Sequence, residues 1–294
     1  MGFREYKNIE TMKRKVFAFI PLNWSVHRVI LGVENSLKDD FEFRYLDGGG
    51  LYYVEQFTEL YEWCDVILTS LETIRTLKAC FPHINFKKVL FVSHGSIENE
   101  VVKDYDPETN YAMTSECLKP LFPPNLKLYL TPNGVDPSIF KYRKRDGSLK
   151  TLGWGGCPNI ATKRVEWGYI LSKATNLPLS IGYGMSFNEI VDWYDTIDLL
   201  IVTAGPEVYV ETGPLPPLEA IVSGVPVIGT YVGNFAKIPG PKFFNLDDAA
   251  SMIEYLKENP QRMRQLADEQ YEYVMNNFTY EKLAPLWRNA LQFS

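Results

Sequence analysis

Short apolar runs rich in β-branched and aromatic residues alternate along this chain with longer stretches where apolar residues recur every three or four positions. Lys15–Leu22 (KVFAFIPL) predicts a strand, and the spacing over Ser25–Leu37 predicts the helix that follows. Phe41–Leu46 then reads as a strand, Val54–Trp63 as a helix, and Asp65–Ser70, Lys88–Ser93, Tyr111–Ser115 and Lys127–Thr131 as further strands. The stretch Lys141–Lys150 (KYRKRDGSLK) is polar and basic with no apolar period, which predicts a linker. Alternation restarts beyond it. Thr151–Trp154, Leu179–Tyr183, Asp198–Thr203 and Pro226–Thr230 read as strands, and Val165–Ala174, Phe187–Tyr194 and Pro217–Val222 as helices. From Asp247 onward the spacing is helical throughout.

Parallel strands need crossovers, so this order predicts two α/β units with parallel sheets flanked by helices and a cleft between them. In open sheets of this kind ligands bind beyond the carboxyl ends of the strands. The expected division is residues 1–140, residues 141–275, and a closing segment 276–294. In that segment Tyr280, Leu283, Leu286 and Trp287 form one apolar stripe, expected to return to the first unit. Pro285 is expected to kink this helix or mark its start.

Composition narrows the partners. The formal charge of −6 argues against nucleic acid, which requires a basic surface. Cys64, Cys80, Cys117 and Cys157 form no CxxC pair, and with only His27, His83 and His94 no zinc spacing arises. No apolar run approaches the roughly 20 residues of a membrane span, and the N-terminal stretch lacks the long apolar core of a signal peptide. A cytoplasmic protein is expected, with docking of a surface patch on a membrane left open.

Chemistry concentrates in Thr203–Gly233, TAGPEVYVETGPLPPLEAIVSGVPVIGTYVG. A strand ends in a loop holding Glu211 and Gly213-Pro214. Pro216 and Pro217 suit a helix start, Glu219 falls in the expected first turn, and Gly224 with Pro226 ends the helix. Two carboxylates thus flank a loop and a helix N-terminus whose amides suit an anion such as pyrophosphate, while a carboxylate beside them suits paired sugar hydroxyls.

Within this segment, ETGPLPPLEAIVSGVPVIGTYVG resembles the Glu-x7-Glu donor motif of the retaining GT-B glycosyltransferases of family GT4. LYLTPNGVDPSIF, Leu128–Phe140, is similar to that family's interdomain segment, and IGYGMSFNEIVDWYDTIDLLIVTAG is similar to the stretch that precedes its carboxylates. The resemblance implies a GT-B architecture of two Rossmann-like αβα domains. The implied reaction moves a sugar from a nucleotide-sugar donor to a glycan or lipid-linked hydroxyl with retention and without metal or other cofactor. It assigns Glu219 to the ribose, Glu211 to the transferred sugar, the backbone of Gly213, Pro214 and Leu215 to sugar and diphosphate, and Tyr183, Gly184 and Met185 to the base. The family's diphosphate arginine and lysine lie in a VGR…KG stretch. Here LGWGGCPNIATKR places Trp154 at the arginine position, beside Gly155, and offers Lys163 and Arg164 as substitutes. The family also implies that His94, closing KVLFVSH, reaches the donor sugar; a structural histidine is the alternative. His27 is a weaker candidate, and PLNWSVHR replaces the family's Gly-rich loop.

Asp104-Tyr105-Asp106 is a D-x-D sequence, but it leads from a helix into a turn and is read as unrelated to metal binding. Two rival functions stay open: a nucleotide-sugar epimerase or phosphorylase on the same scaffold, and a non-catalytic nucleotide-sugar-binding protein.

Overall fold

The computed structural model describes residues 12–22, 24–48, 54–102, 105–205 and 211–293. The first unit is a six-stranded parallel sheet in the order β2-β1-β3-β4-β5-β6. Its strands are β1 (Arg14–Ile20), β2 (Phe41–Asp47), β3 (Val66–Ser70), β4 (Val89–Ser93), β5 (Asn110–Met113) and β6 (Leu128–Leu130). Both faces are covered, so the central strands carry continuous apolar runs such as Val16–Ile20 rather than alternating. Val16, Ala18 and Ile20 of β1 point to one face, with Leu68, Leu90 and Ala112. Phe17 and Phe19 point to the other, with Ile67, Phe91 and Tyr111. Helix α1 (Ser25–Leu37) covers the first face. Helix α2 (Val54–Trp63) and the short helix α3 (Ile74–Cys80) cover the second, through Phe57, Ile74 and Leu77. Sequence spacing did not single out α3, which is too short to display a helical period, whereas the helix expected ahead of Asp104 is the six-residue α4 (Ser96–Val101) after β4.

The second unit is a four-stranded parallel sheet ordered β10-β9-β7-β8: β7 (Leu152–Gly155), β8 (Leu179–Gly182), β9 (Leu199–Val202) and β10 (Val227–Gly229). Helices α5 (Val165–Thr175) and α8 (Leu246–Glu258) pack on one face through Leu171, Ile253 and Leu256. Helices α6 (Phe187–Trp193), α7 (Leu215–Val222) and α9 (Pro260–Asn277) lie on the other, where Trp193, Leu218, Ile221 and Val274 share a core. In each sheet the chain reverses its winding beside its first strand, between β1 and β3 and between β7 and β9, which opens a crevice at the strands' carboxyl ends.

Residues 141–150 hold no regular element, yet they do not hang free as a linker. Tyr142 donates to Asp268, Arg143 pairs with Asp195, Arg145 donates to the Tyr194 and Asp195 carbonyls, and Leu149 is buried in the second core. Val135 and Phe140 are buried in the core on the other face of the second sheet, with Trp193 and Leu218. At Gly224 (φ +85°) a Cβ would strike the Arg143 carbonyl, so the helix-ending glycine is also the surface on which this segment lies.

Helix α10 (Tyr280–Leu291) starts at the capping Thr279, whose side chain accepts from the Lys282 amide. It runs through Pro285, so the proline does not mark its start. It packs against α1 and β6, and Leu283, Trp287 and Leu291 join the first unit's core with Val29, Val33 and Tyr129. Leu286 is not part of the buried stripe: it is 37% exposed, and Ala284 and Ala290 take its place.

Candidate functional site

The crevice of the second sheet is built from the ends of β7 and β9. Trp154 at the end of β7 is buried, and its indole N–H donates to Thr203 Oγ1 at 2.8 Å; Thr203 in turn donates to the Lys163 carbonyl at 2.7 Å. Trp154 therefore stands where a cation is expected but serves to fix the backbone that carries Lys163. Gly155 lies tight under Pro216, which a Cβ would meet at 2.9 Å. Lys163 then reaches across the recess to Glu211, with Nζ 2.9 Å from Oε2 and both side chains about four-fifths buried. Lys163, Glu211, Gly155 and Pro214 line one recess with the last residues of β9. Arg164, in left-handed conformation (φ 50°), directs its guanidinium over the Trp167 ring at 5.0 Å.

Helix α7 begins two residues earlier than the proline pattern suggests. Pro214 is its N-cap and Leu215 its first residue, which places Glu219 in the second turn. The Leu215 side chain is buried in the first unit's core. Pro216 and Pro217 also remove two of the N–H groups that a helix start usually offers, so less backbone faces an anion than expected. Glu219 is 4% exposed, and both of its oxygens are engaged. Tyr194 donates to Oε2 at 2.8 Å, and Arg28 of α1 sits 3.1 Å from Oε1. Burial raises the Glu219 carboxyl while Arg28 opposes the rise; burial and then Glu219 push the Tyr194 phenol well above its ordinary value. The Arg28 guanidinium also lies over the Phe187 ring at 5.1 Å.

A polar seam joins the two units around the Glu211–Pro214 loop. Thr212 donates to the His94 carbonyl at 2.5 Å, and its hydroxyl is 2.8 Å from that of Thr114. Asn133 donates to the Gly213 carbonyl at 2.6 Å, and Asn234 donates to the Thr114 carbonyl at 2.8 Å. At Gly233 (φ +41°) any Cβ would collide with the Thr212 backbone, so the chain there permits only glycine. His94 thus stands at the edge of the first sheet, opposite the loop. Burial pushes its imidazole down to about 4, which keeps the ring neutral at pH 7. Its amide donates to Glu98 Oε2, a carboxyl that burial pushes up to about 8.

The remaining candidates lie at the rim. Tyr183 is half exposed at the end of β8, where its hydroxyl meets the Cys157 thiol. Gly184 (φ +71°) has open space around it, and Met185 is 38% exposed. His27 turns away, its Nδ1 2.7 Å from the Leu22 carbonyl. Asp104 lies outside the described residues, while Asp106 accepts from the Glu108 amide in a turn. Among the described residues no group of three or more His, Cys, Asp or Glu could hold a metal ion, and no helix is long and apolar enough to cross a membrane.

Sequence reading singled out Glu211, Lys163, Gly155 and Pro214, which meet in one recess, while Gly213 faces Asn133 at the seam beside it. It missed Arg28, Tyr194, Thr212 and Glu98. A positive charge one turn into the helix after the first strand was the available signal for Arg28.

No protein-family profile matches the chain, and no curated protein matches it in sequence. Its fold does match solved structures. Anabaena HepE in complex with UDP and glucose aligns over 96% of this chain and 100% of its own, with TM-score 0.70 at 11% identity. The sucrose-phosphate synthase of Thermosynechococcus elongatus aligns over 94% and 99%, with TM-score 0.67 at 14% identity. AviGT4, a glycosyltransferase involved in avilamycin A biosynthesis, aligns over 96% and 97%, with TM-score 0.63 at 13% identity. These matches extend over both units, so the fold is the GT-B architecture of two Rossmann-like domains facing across a cleft.

Proposed function

We propose that the protein is a retaining glycosyltransferase of the GT4 type. It takes a nucleoside-diphosphate sugar into the crevice of the second domain and passes the sugar to a hydroxyl of a glycan or lipid-linked acceptor. The observation that carries this reading is the Lys163–Glu211 pair, held across the recess at the β7/β9 switch point and facing the first domain. A cation and a carboxylate there match the two ends of a sugar diphosphate. Lys163, with Arg164 behind it, would leave Glu211 for the diphosphate, and Glu211 would then accept from the sugar hydroxyls. Glu219 would receive the ribose, and Tyr183, Gly184 and Met185 would border the base. The likeness in fold to HepE bound to UDP and glucose makes a uridine diphosphate sugar the first donor to try.

Departure of the diphosphate needs charge stabilisation more than a protein base, because a phosphate oxygen on the same face of the sugar takes the acceptor proton. His94, neutral at pH 7, fits a hydrogen-bonding role toward the sugar rather than a charged one. The acceptor would enter from the first domain's edge, where Trp24 and Ile97 are exposed beyond the ends of β1 and β4. A lipid-linked acceptor would bring this edge to a membrane surface.

The direct test is a thermal-shift screen of UDP-, GDP-, ADP- and dTDP-sugars, followed by an assay for release of the free sugar. One donor is expected to raise the melting temperature, since ligand that binds only the folded state stabilises it by mass action. That donor should also be slowly hydrolysed. Binding without hydrolysis or transfer would favour a non-catalytic binder, and a changed sugar isomer would favour an epimerase. Transfer is further expected to persist in saturating EDTA, because Lys163 and Arg164 supply the positive charge. Full loss of activity that Mg²⁺ or Mn²⁺ restores would overturn that part of the proposal.

A further inference from the structure

Arg28 belongs to the first domain, yet its guanidinium is 3.1 Å from a carboxylate of the second domain that is almost wholly buried. A carboxylate in such a place is unstable as an anion unless something compensates. Resting on the donor reading above, we infer that Arg28 is a positioning residue that keeps Glu219 ionised and aimed at a vicinal diol, so that the site selects ribonucleotides over 2′-deoxyribonucleotides.

The argument is one of counting. An ionised carboxylate offers about four lone-pair positions, two on each oxygen. Arg28 takes one on Oε1 and Tyr194 takes one on Oε2. One acceptor position then remains on each oxygen, which matches the two O–H donors of a ribose 2′,3′-diol. A 2′-deoxyribose presents only one. Protonation of Glu219 would turn one oxygen into a donor and spoil the match.

The surroundings leave this task to Arg28. Tyr194 faces Glu219 from the turn after α6, and Tyr280 approaches from α10 with Asp136 near it; none of these is a cation. Burial raises the Tyr280 phenol, so it too stays neutral. Arg28 is the charge that counters burial at Glu219, and the Phe187 ring beneath it holds the guanidinium in place. A third of the Arg28 side chain is exposed, so it can be replaced without opening a core.

The experiment is calorimetric titration of UDP, GDP and ADP, each beside its 2′-deoxy counterpart, into the wild type, Arg28→Ala, Arg28→Lys and Tyr194→Phe. Titrations run from pH 6 to pH 8, with circular dichroism to confirm folding. The wild type should prefer the ribonucleotide by about tenfold, the size of one charge-assisted hydrogen bond. Its affinity should change little across this range. In Arg28→Ala the carboxyl loses its counter-charge and rises further, so affinity and ribose preference should fall as pH drops and recover toward pH 8. Arg28→Lys should restore most of the pH independence, a result that a merely structural arginine would not give. Tyr194→Phe should weaken binding with a smaller pH dependence than Arg28→Ala, since its hydrogen bond holds the carboxyl down less than the Arg28 charge does. If nucleotides bind the wild type but ribose and deoxyribose bind equally, or if Arg28→Ala leaves the pH profile flat, the inference is overturned alone. If none binds any variant, the donor reading fails and takes this inference with it.

Discussion

Replacing Glu211 with alanine is expected to lower turnover by about a hundredfold, while nucleotide affinity stays within a few-fold of wild type. Glu211 lines the recess opposite Lys163, so on the proposed reading it would face the sugar, and its partner is the lysine that would turn to the diphosphate. Without the carboxylate Lys163 is freer to meet phosphate, so ground-state binding is preserved. What is lost is the hold on sugar hydroxyls as the sugar flattens toward an oxocarbenium ion, and an interaction strongest in the transition state appears in turnover. Glu219→Ala should do the reverse, raising the apparent Kd for the nucleotide much more than it lowers turnover. Steady-state kinetics with titration of the bare nucleoside diphosphate would separate the two. Wild-type kinetics in both variants would remove these carboxylates from the site.

Trp287→Ala is expected to destabilise the fold by about 3–5 kcal/mol, the usual range for emptying a buried aromatic site. The indole is 1% exposed in the first domain's core, and its N–H donates to the Pro132 carbonyl at 3.0 Å. Alanine would leave both a cavity between α10 and α1 and an unpaired carbonyl in the segment that follows β6 out of the first domain. Leu286→Ala, at a third-exposed position one residue away, should cost below about 1 kcal/mol. Denaturant unfolding of the two variants checks the contrast, and similar small losses would mean that α10 does not seal this core.

Most strands and long helices are legible in the chain because each is buried by a repeating pattern that a short window displays. Phe17 and Phe19 against Val16 and Ala18 show both faces of β1 apolar, as a parallel sheet requires. What spacing does not show is a contact made once, between residues far apart. His27 and Arg28 are neighbours on α1, and nothing local tells which turns to the cleft; the fold answers with Arg28, through a residue nearly two hundred positions away. Trp154 invited comparison with a missing arginine, although its indole is spent on Thr203. The segment Lys141–Lys150 looks solvent-facing because its charges are satisfied one at a time by carbonyls and carboxylates of the second domain. The start of α7 shifted for a simpler reason: proline is tolerated throughout a helix's first turn, where its missing N–H has no intrahelical partner, so the pair does not fix which residue begins the helix.

The return of α10 to the first domain has a consequence for how the protein comes off the ribosome. The first sheet is fully translated once Leu130 has been made, but the face that α1 covers lacks its second helix until residues 280–293 follow. At about 5–20 residues per second, the roughly 150 residues in between take on the order of ten to thirty seconds. Through that interval Val29, Val33 and Tyr129 border an unfilled groove, while the second domain is synthesised whole and is free to fold first. The domain that is made earlier is therefore the one completed later, and its nascent form is the stage at which a chaperone would have most to hold.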